Sequence, residues 1–240
     1  MLENKSIGLV LSGGGVRGMA HIGLIKAMRE HDLEANVNTV EEMLDFFKKV
    51  PLFQYSFFTI NKPGFIDTER YASIFEKFFP ENRFESLERL LYVVATDLLS
   101  GKEKVFSKGQ LIKPLLASAA LPPVFSPVDI DDILYADGGI MNNFPKEYVE
   151  DKTEFIIGSN VSVTVPLQKK DLRNSFQLTG RVTSLMIHAS NDEKLHECNL
   201  FIEPKELDQI GVLDKKGIEN AFNVGYEHGS RALEKMLSKT

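Results

Sequence analysis

IGLVLSGGGVRGMAHIGLIKAM, residues Ile7–Met28, combines a strand, a glycine turn and a helix. The apolar run Ile7–Leu11 predicts a buried parallel strand, and an amphipathic helix follows the glycines. Gly13, Gly14 and Gly15 accept backbone angles that side chains forbid, so their N–H groups can point outward together beside the positive end of that helix. The turn therefore predicts a site for negative charge, either a standing phosphate or an oxyanion formed during acyl transfer.

The composition predicts one α/β domain over residues 1–240. A chain of 240 residues with 43% hydrophobic content is long enough for one sizeable core. The net charge of −6 argues against nucleic acid as a partner. Cys198 is the single cysteine, which excludes an internal disulfide and suits a reducing compartment. The first apolar run is too short for a signal peptide or a membrane span, so we expect a cytoplasmic protein whose contact with a membrane, if any, is peripheral. The composition does not indicate an oligomeric state.

Strands and helices alternate along the rest of the chain, which predicts a mostly parallel central sheet in a three-layer α/β/α arrangement. The predicted strands are Leu90–Thr96, Ile133–Ala136, Phe155–Gly158 and Leu200–Ile202, with a hairpin over Asp97–Gly109. The predicted helices after the first are residues 39–50, Asp67–Phe79, Gln110–Ser118, Arg173–Leu195 and Asp214–Leu237. Phenylalanines are concentrated between Phe46 and Phe84, and this block is either a lid over an acyl chain or part of the core.

The glycine turn also fits the dinucleotide fingerprint G-x-G-x-x-G through Gly13, Gly15 and Gly18. That kind of site needs an acid that closes a second strand about twenty residues further on. Asp32 and Glu34 come early, in a segment without a convincing strand. No Gly-Lys-Ser/Thr follows the glycines, which excludes a P-loop. Nucleotide binding therefore stays an alternative to acyl transfer.

Three separated motifs together carry a more specific signal. They are GGGVRG at Gly13–Gly18, ALPPVFSPV at Ala120–Val128 and ADGG at Ala136–Gly139, with ATDLLSGKEKVF at Ala95–Phe106 between the first two. With these motifs in this order, the chain resembles the patatin-like phospholipase family of bacterial type over nearly its whole length. The resemblance implies a lipid acyl hydrolase, an esterase or phospholipase A of lipid metabolism. It also implies that the substrate is a lipid or acyl ester and that no metal or other cofactor is needed.

The resemblance also assigns roles to residues. Asp137 would be the general base of a Ser-Asp dyad, and the N–H groups of Gly13, Gly14 and Gly15 would form the oxyanion hole. Arg17 would steady this turn or bind a phosphate head group, unless it is simply a solvated residue at the start of a helix. The supporting glycines are Gly18, Gly138 and Gly139. A dyad needs no histidine, and the five histidines show no spacing typical of a triad or a metal site.

The family's nucleophile elbow, G-x-S-x-G, does not occur in these 240 residues. By resemblance, about twenty residues forming a strand, the elbow and a buried helix should stand between Val37 and Asn38. Either the protein contains this segment and the sequence omits it, or the segment was removed and a catalytically inactive lipid- or acyl-binding relative remains. Removing a central strand and its helix would cost several kcal/mol per large side chain, against a total stability of about 5–15 kcal/mol. The first interpretation is therefore favoured.

The intact mass of the purified protein distinguishes the two interpretations. The 240 residues account for 27.0 kDa. We expect electrospray mass spectrometry to find about 2 kDa more, the mass of about twenty additional residues. A measured mass equal to 27.0 kDa would rule out the extra segment.

Overall fold

The computed structural model describes residues 5–33, 40–50, 54–189 and 197–238. The chain divides into two compact units, one made of residues 1–49 and 144–240 and the other of residues 50–143. The single domain expected from the sequence stays a prediction. The junction between Val37 and Asn38, the first residue of the helix predicted over residues 39–50 and the end of the helix predicted to reach Leu195 lie outside the described residues.

Seven strands and six α-helices are found in the described residues. The strands are β1 Ile7–Leu11, β2 Val93–Asp97, β3 Lys102–Phe106, β4 Val128–Ile130, β5 Ile133–Asp137, β6 Phe155–Ser159 and β7 Leu200–Ile202. The helices are α1 Met19–Glu30, α2 Val40–Lys49, α3 Ala72–Phe75, α4 Ile112–Ser118, α5 Ser175–Ala189 and α6 Ile218–Leu237.

The first unit contains a parallel sheet with the strand order β1-β6-β7. Leu9 pairs with Ile157 in the middle of the first ladder, and Ile157 also pairs with Leu200 on β7. These strands are short apolar runs, as expected where both faces of a parallel sheet are covered. The core of this unit joins the sheet to α1 and α6 through Leu24, Ala27, Met28, Leu33, Ile157, Ile202 and Leu233.

Helices α1 and α6 pack with their backbones in contact, and glycine makes this possible. A Cβ at Gly23 would lie 2.1 Å from the carbonyl oxygen of Phe222, and a Cβ at Gly225 would lie 2.0 Å from that of Ala20. Real Cβ atoms do not approach this closely, so any side chain at either position would force the helices apart. The two glycines thus set the distance between the helices that cover the parallel sheet.

The second unit contains an antiparallel sheet with the strand order β3-β2-β5-β4. β2 is one of its two inner strands; it pairs with β3 through the predicted hairpin and with β5, where Ala95 is opposite Asp137. Phe84, Val93 and Leu111 form one buried cluster of this unit. Helix α4 packs against this sheet. The predicted catalytic aspartate, Asp137, is the last residue of β5.

The expected α/β class with a parallel sheet is confirmed. In detail, β2 lies in the antiparallel sheet, not in the parallel one that its apolar sequence suggested. Local turns explain this difference, since parallel strands need long crossovers. Asp97 accepts hydrogen bonds from the N–H groups of Leu99 and Ser100 at 2.8 and 3.0 Å, which reverses the chain directly into β3.

The phenylalanine-rich block supplies both core and surface. Phe84 and Tyr71 are buried, and Phe57 is half-buried with its ring centroid 4.8 Å from that of Tyr71. Phe58 and Phe65 are 54% and 60% exposed. The block is therefore not core alone, and these two rings are available to a ligand or a surface.

The helix contact gives a stability prediction with a matched control. Gly225→Ala should lower the free energy of unfolding by about 2–3 kcal/mol, because the new methyl group overlaps the α1 backbone. Gly180→Ala in α5, where an added Cβ meets nothing within 4 Å, should instead raise it by about 0.5–1 kcal/mol. Urea unfolding of both variants measures these changes. A neutral effect of Gly225→Ala would contradict the close contact between α6 and the α1 backbone.

Candidate active site

The glycine turn after β1 requires glycine at two of its three positions. Gly15 has φ of +58°, and a Cβ there would lie 2.3 Å from the carbonyl oxygen of Val212. A Cβ on Gly14 would lie 2.5 Å from a methyl group of Val161. The turn is thus closed in by neighbouring backbone and side chain, and only glycine fits at these positions.

Two backbone donors of this turn have no acceptor in the described part of the chain. The N–H groups of Gly14 and Gly15 make no hydrogen bond there, whereas the next donor, Val16 N–H, binds the carbonyl oxygen of Val212 at 2.8 Å. Gly15 is exposed and Gly14 partly exposed. Accessible, unpaired N–H groups ahead of a helix are the donor arrangement that an anion or an oxyanion needs.

A buried histidine, His21, fixes the strand ends that hold the turn. Its Nε2 lies 2.9 Å from the backbone oxygen of Ser12, and its Nδ1 lies 2.9 Å from the hydroxyl oxygen of Ser159. Because a carbonyl oxygen only accepts, Nε2 donates to Ser12, and Nδ1 of the neutral ring accepts from the Ser159 hydroxyl. Burial lowers the pKa of His21 to about 4, so the ring is neutral at pH 7.

Arg17 lies against backbone rather than in solvent. Its Nε donates to the carbonyl oxygen of Ile210 at 2.7 Å, and one terminal nitrogen donates to that of Asp208 at 3.2 Å. The Asp208 carboxylate lies 3.9 Å from the same nitrogen. Burial lowers the pKa of Arg17, and Asp208 offsets part of that shift. These bonds favour a role in steadying the turn over binding of a phosphate head group.

Gly18 differs from the other glycines of its motif. It has an ordinary helical φ of −58°, and an added Cβ would come no closer than 3.8 Å to His21. In a dinucleotide site the third glycine permits close packing of helix on strand. No such close approach exists at Gly18, which weakens the nucleotide alternative.

Asp137 is the last residue of β5 and is held by three hydrogen bonds. Its N–H donates to the carbonyl oxygen of Ala120 at 3.0 Å, and its own carbonyl accepts from the Thr96 hydroxyl at 2.8 Å. Its carboxylate oxygen Oδ1 accepts from the N–H of Gly139 at 2.8 Å. The first contact joins two of the predicted motifs, since Ala120 opens ALPPVFSPV and Asp137 lies within ADGG.

The carboxylate of Asp137 is electrostatically unusual. It is half-buried, and no lysine or arginine of the described chain forms an ion pair with it. Burial raises its pKa from 3.8 to about 6, and the hydrogen bond from Gly139 opposes only part of this rise. A carboxylate with this pKa is ionised at neutral pH yet basic enough to accept a proton from a hydroxyl group during a reaction.

The two glycines after Asp137 allow this placement. A Cβ at Gly138 would lie 2.2 Å from the carbonyl oxygen of Val94 on β2. A Cβ at Gly139 would lie 2.6 Å from the side-chain oxygen of Asn143 and 3.0 Å from the Asp137 carboxylate. Glycine at these two positions therefore lets the chain after Asp137 pack closely against β2 and around the Asp137 carboxylate.

The predicted site residues fall in two groups. Gly13, Gly14, Gly15, Arg17 and Gly18 lie together in the first unit. Asp137, Gly138 and Gly139 lie together in the second. Among the described residues, no cluster of three His, Cys, Asp or Glu side chains could hold a metal ion. None of the described helices is both long and apolar enough to cross a bilayer.

Sequence reasoning missed His21 and its partner Ser159. The partner lies 138 positions away, so spacing along the chain gave no sign of the pair. One signal was available: His21 lies among the buried α1 residues Ile22, Leu24 and Ile25. A histidine within such a face is buried, and a buried histidine needs hydrogen-bond partners.

This combination of a parallel sheet, a glycine turn and an Asp-Gly-Gly strand end defines a patatin-like α/β fold. Residues 32–149, nearly half of the chain, match the family model described as patatin-like phospholipase. The resemblance inferred from the sequence is confirmed by this match. The match includes Asp137 but not the glycine turn.

The chain is also similar to curated proteins of the NTE family and to a neuropathy target esterase. An uncharacterized NTE family protein of Mycobacterium tuberculosis is 29% identical over 162 residues, which cover 60% of this chain and 45% of that protein. A second one from the same organism is 23% identical over 279 residues, 97% of this chain and 47% of that protein. The neuropathy target esterase sws of Drosophila persimilis is 27% identical over 171 residues, 60% of this chain and 12% of that protein. The chain thus spans less than half of the length of each.

A solved structure supports the fold. The crystal structure of VipD from Legionella pneumophila superposes with a TM-score of 0.58 at 15% identity, covering 96% of this chain and 67% of that one. At this identity, the likeness concerns the fold alone.

The raised pKa of Asp137 predicts a pH-dependent stability difference. Folding disfavours the ionised carboxylate, so the wild-type protein loses stability as the pH rises from about 4 through about 6, whereas Asp137→Asn has no such titration. The amide can keep the hydrogen bond from Gly139. The variant should equal wild type below pH 4 and exceed it by about 2–3 kcal/mol above pH 7. Denaturant unfolding at pH 4, 6 and 8 measures this; a difference independent of pH would show that Asp137 is not desolvated.

Proposed function

We propose that this protein is a lipid acyl hydrolase, a serine esterase or phospholipase A, acting on fatty acyl esters with Asp137 as the general base of a Ser-Asp dyad. The observation that carries the proposal is the state of this carboxylate: half-buried, without a cationic partner among the described residues, and with its pKa raised to about 6. Structural carboxylates are normally paired with cations or well solvated, and such a group fits a catalytic role better. The family match over residues 32–149 and the esterase among the relatives support the same reaction class.

The proposed reaction needs no histidine and no metal. Asp137 accepts the proton of the nucleophilic hydroxyl group while the hydroxyl oxygen bonds to the acyl carbon. The carbonyl oxygen of the ester becomes negatively charged. When the bond to the alcohol breaks, the proton passes from Asp137 to the departing oxygen. A water molecule then attacks the acyl carbon and gives a proton to Asp137; the bond to the serine oxygen breaks, the fatty acid leaves, and Asp137 passes that proton to the serine oxygen.

The oxyanion would be stabilised by the N–H groups of Gly14 and Gly15. Both lack an acceptor among the described residues, so no existing bond must break before they bind charge. The neighbouring contacts of His21 and Arg17 hold the turn in one conformation. Donors that are fixed in advance stabilise a transition state more than donors that must reorient.

The nucleophile is the part of the dyad that these 240 residues do not supply in a G-x-S-x-G frame. The 279-residue alignment with the second mycobacterial relative exceeds the length of this chain, so that relative has positions without a counterpart here. This supports an additional segment that would carry the elbow serine. The alternative function, a catalytically inactive protein that binds acyl chains or lipid, is favoured by the missing frame itself.

Turnover of p-nitrophenyl butyrate separates the two functions. The wild-type protein should hydrolyse the ester, and Asp137→Asn should lower kcat/KM by about 100-fold or more, the contribution expected of a general base. The wild-type rate should rise with pH between about 5 and 7, because the ionised form of Asp137 is the base.

Asp132→Asn is the matched control, since it makes the same chemical change at an exposed turn position where asparagine tolerates the φ of +62°. Its rate should equal that of wild type. If wild type and Asp137→Asn show the same background rate, the hydrolase proposal fails, and the lipid-binding alternative takes its place.

A further inference from the structure

Helix α5 exposes a stripe of large apolar side chains. Leu178, Val182, Leu185 and Met186 are 52%, 47%, 44% and 68% exposed, and none of the described side chains of α5 is buried. In the same unit, α6 buries Ile218, Ala221, Gly225, Gly229 and Leu233. Exposed apolar residues scattered singly are ordinary, but a continuous stripe indicates an interaction surface. We call these four residues the α5 stripe.

The α5 stripe lies on one side of its helix. At 3.6 residues per turn, its four members fall within about 100° of one another. Other positions of α5 form hydrogen bonds to the segment that precedes the helix. Arg181 donates to the carbonyl oxygen of Val165 at 2.9 Å, and the hydroxyl of Ser184 lies 3.4 Å from that of Thr164. Ser184 lies nearly opposite the stripe and Arg181 at about a right angle to its centre, so the stripe faces outward.

The segment that leads into α5 and the helix itself carry a net positive charge, although the chain as a whole carries −6. Helix α5 contains no aspartate or glutamate. Exposed Lys169, Lys170 and Arg173 precede it, and Asp171 is the one acid between residues 164 and 189. An apolar helix face that follows a basic segment fits a helix that lies in the interface of an anionic bilayer.

The size of the stripe also favours lipid over a second copy of the chain. A stable protein interface buries about 800 Å² on each partner and uses about 20–30 residues a side. Four side chains on a helix of about 22 Å fall short of this. An interfacial helix needs only one apolar face of this kind, inserted by about 5–10 Å.

We infer that α5 docks the protein on anionic lipid surfaces, with the α5 stripe in the acyl boundary and Lys169, Lys170 and Arg173 at the head groups. This proposal goes beyond the hydrolase function and does not depend on it. A protein that never cleaves an ester would bind membranes through the same face.

Flotation with vesicles of ether-linked lipids tests the inference, since ether lipids bind without being hydrolysed. Wild type should float with phosphatidylcholine vesicles containing phosphatidylglycerol and much less with phosphatidylcholine alone. The double variant Leu178→Glu/Met186→Glu should weaken binding by more than about tenfold. Lys169→Gln and Lys170→Gln should each weaken it about fivefold, and added salt should do the same.

The control is Leu90→Glu/Leu99→Glu, which places the same two charges on leucines that are 82% and 66% exposed in the other unit. It should bind like wild type, and circular dichroism should show both double variants folded. Equal binding by the stripe variant and wild type would overturn the inference, as would equal loss in the control or no flotation of wild type. A dimer that the stripe variant dissociates, without vesicle binding, would assign the face to a second copy. Asp137→Asn should float normally, so failure of catalysis and failure of docking are separable.

Discussion

The hydrogen bonds of a neutral, buried histidine hold the first unit's strand ends in register. The β1-β6 ladder continues past its last pair, because the N–H of Ser12 donates to the carbonyl oxygen of Ser159 at 3.1 Å. His21 bridges the same two residues through its two ring nitrogens. The ring's fit depends on staying neutral: protonation would put a charge in a site without solvent and turn the Nδ1 acceptor into a donor. The position of the glycine turn follows from this bridge.

The turn and the Asp137 strand end use glycine for related physical reasons. At Gly15 the backbone is in the left-handed region and a carbonyl lies where a Cβ would be. At Gly138 the neighbouring strand occupies that space. Each glycine brings a polar group of the backbone or of Asp137 to a place that a bulkier residue would block. The arrangement at Asp137 does not favour stability, since a desolvated carboxylate costs free energy, and such costs are concentrated at functional sites.

Several features of the candidate site could be predicted from the sequence because they are local. The glycine turn, the Asp-Gly-Gly strand end and the apolar set of α1 are each contained in a few neighbouring residues. Arg17 shows the limit of this approach. Its sequence position left open whether it binds a head group or steadies the turn, and the structure supports the second through acceptors near residue 210, 193 positions away. Its partner could not be inferred from a single sequence.

The sequence by itself determined the α/β class, the positions of most strands and helices, and the kinship carried by GGGVRG, ALPPVFSPV and ADGG. These follow from apolar periodicity and from backbone angles that only glycine adopts, and both are properties of short segments. Only the tertiary structure decided that β2 lies in an antiparallel sheet, that His21 bridges Ser12 and Ser159, and that no described residue covers the stripe on α5. It also decided the raised pKa of Asp137. Strand partners, burial and solvation depend on which distant residues come together, and a local pattern does not contain that information.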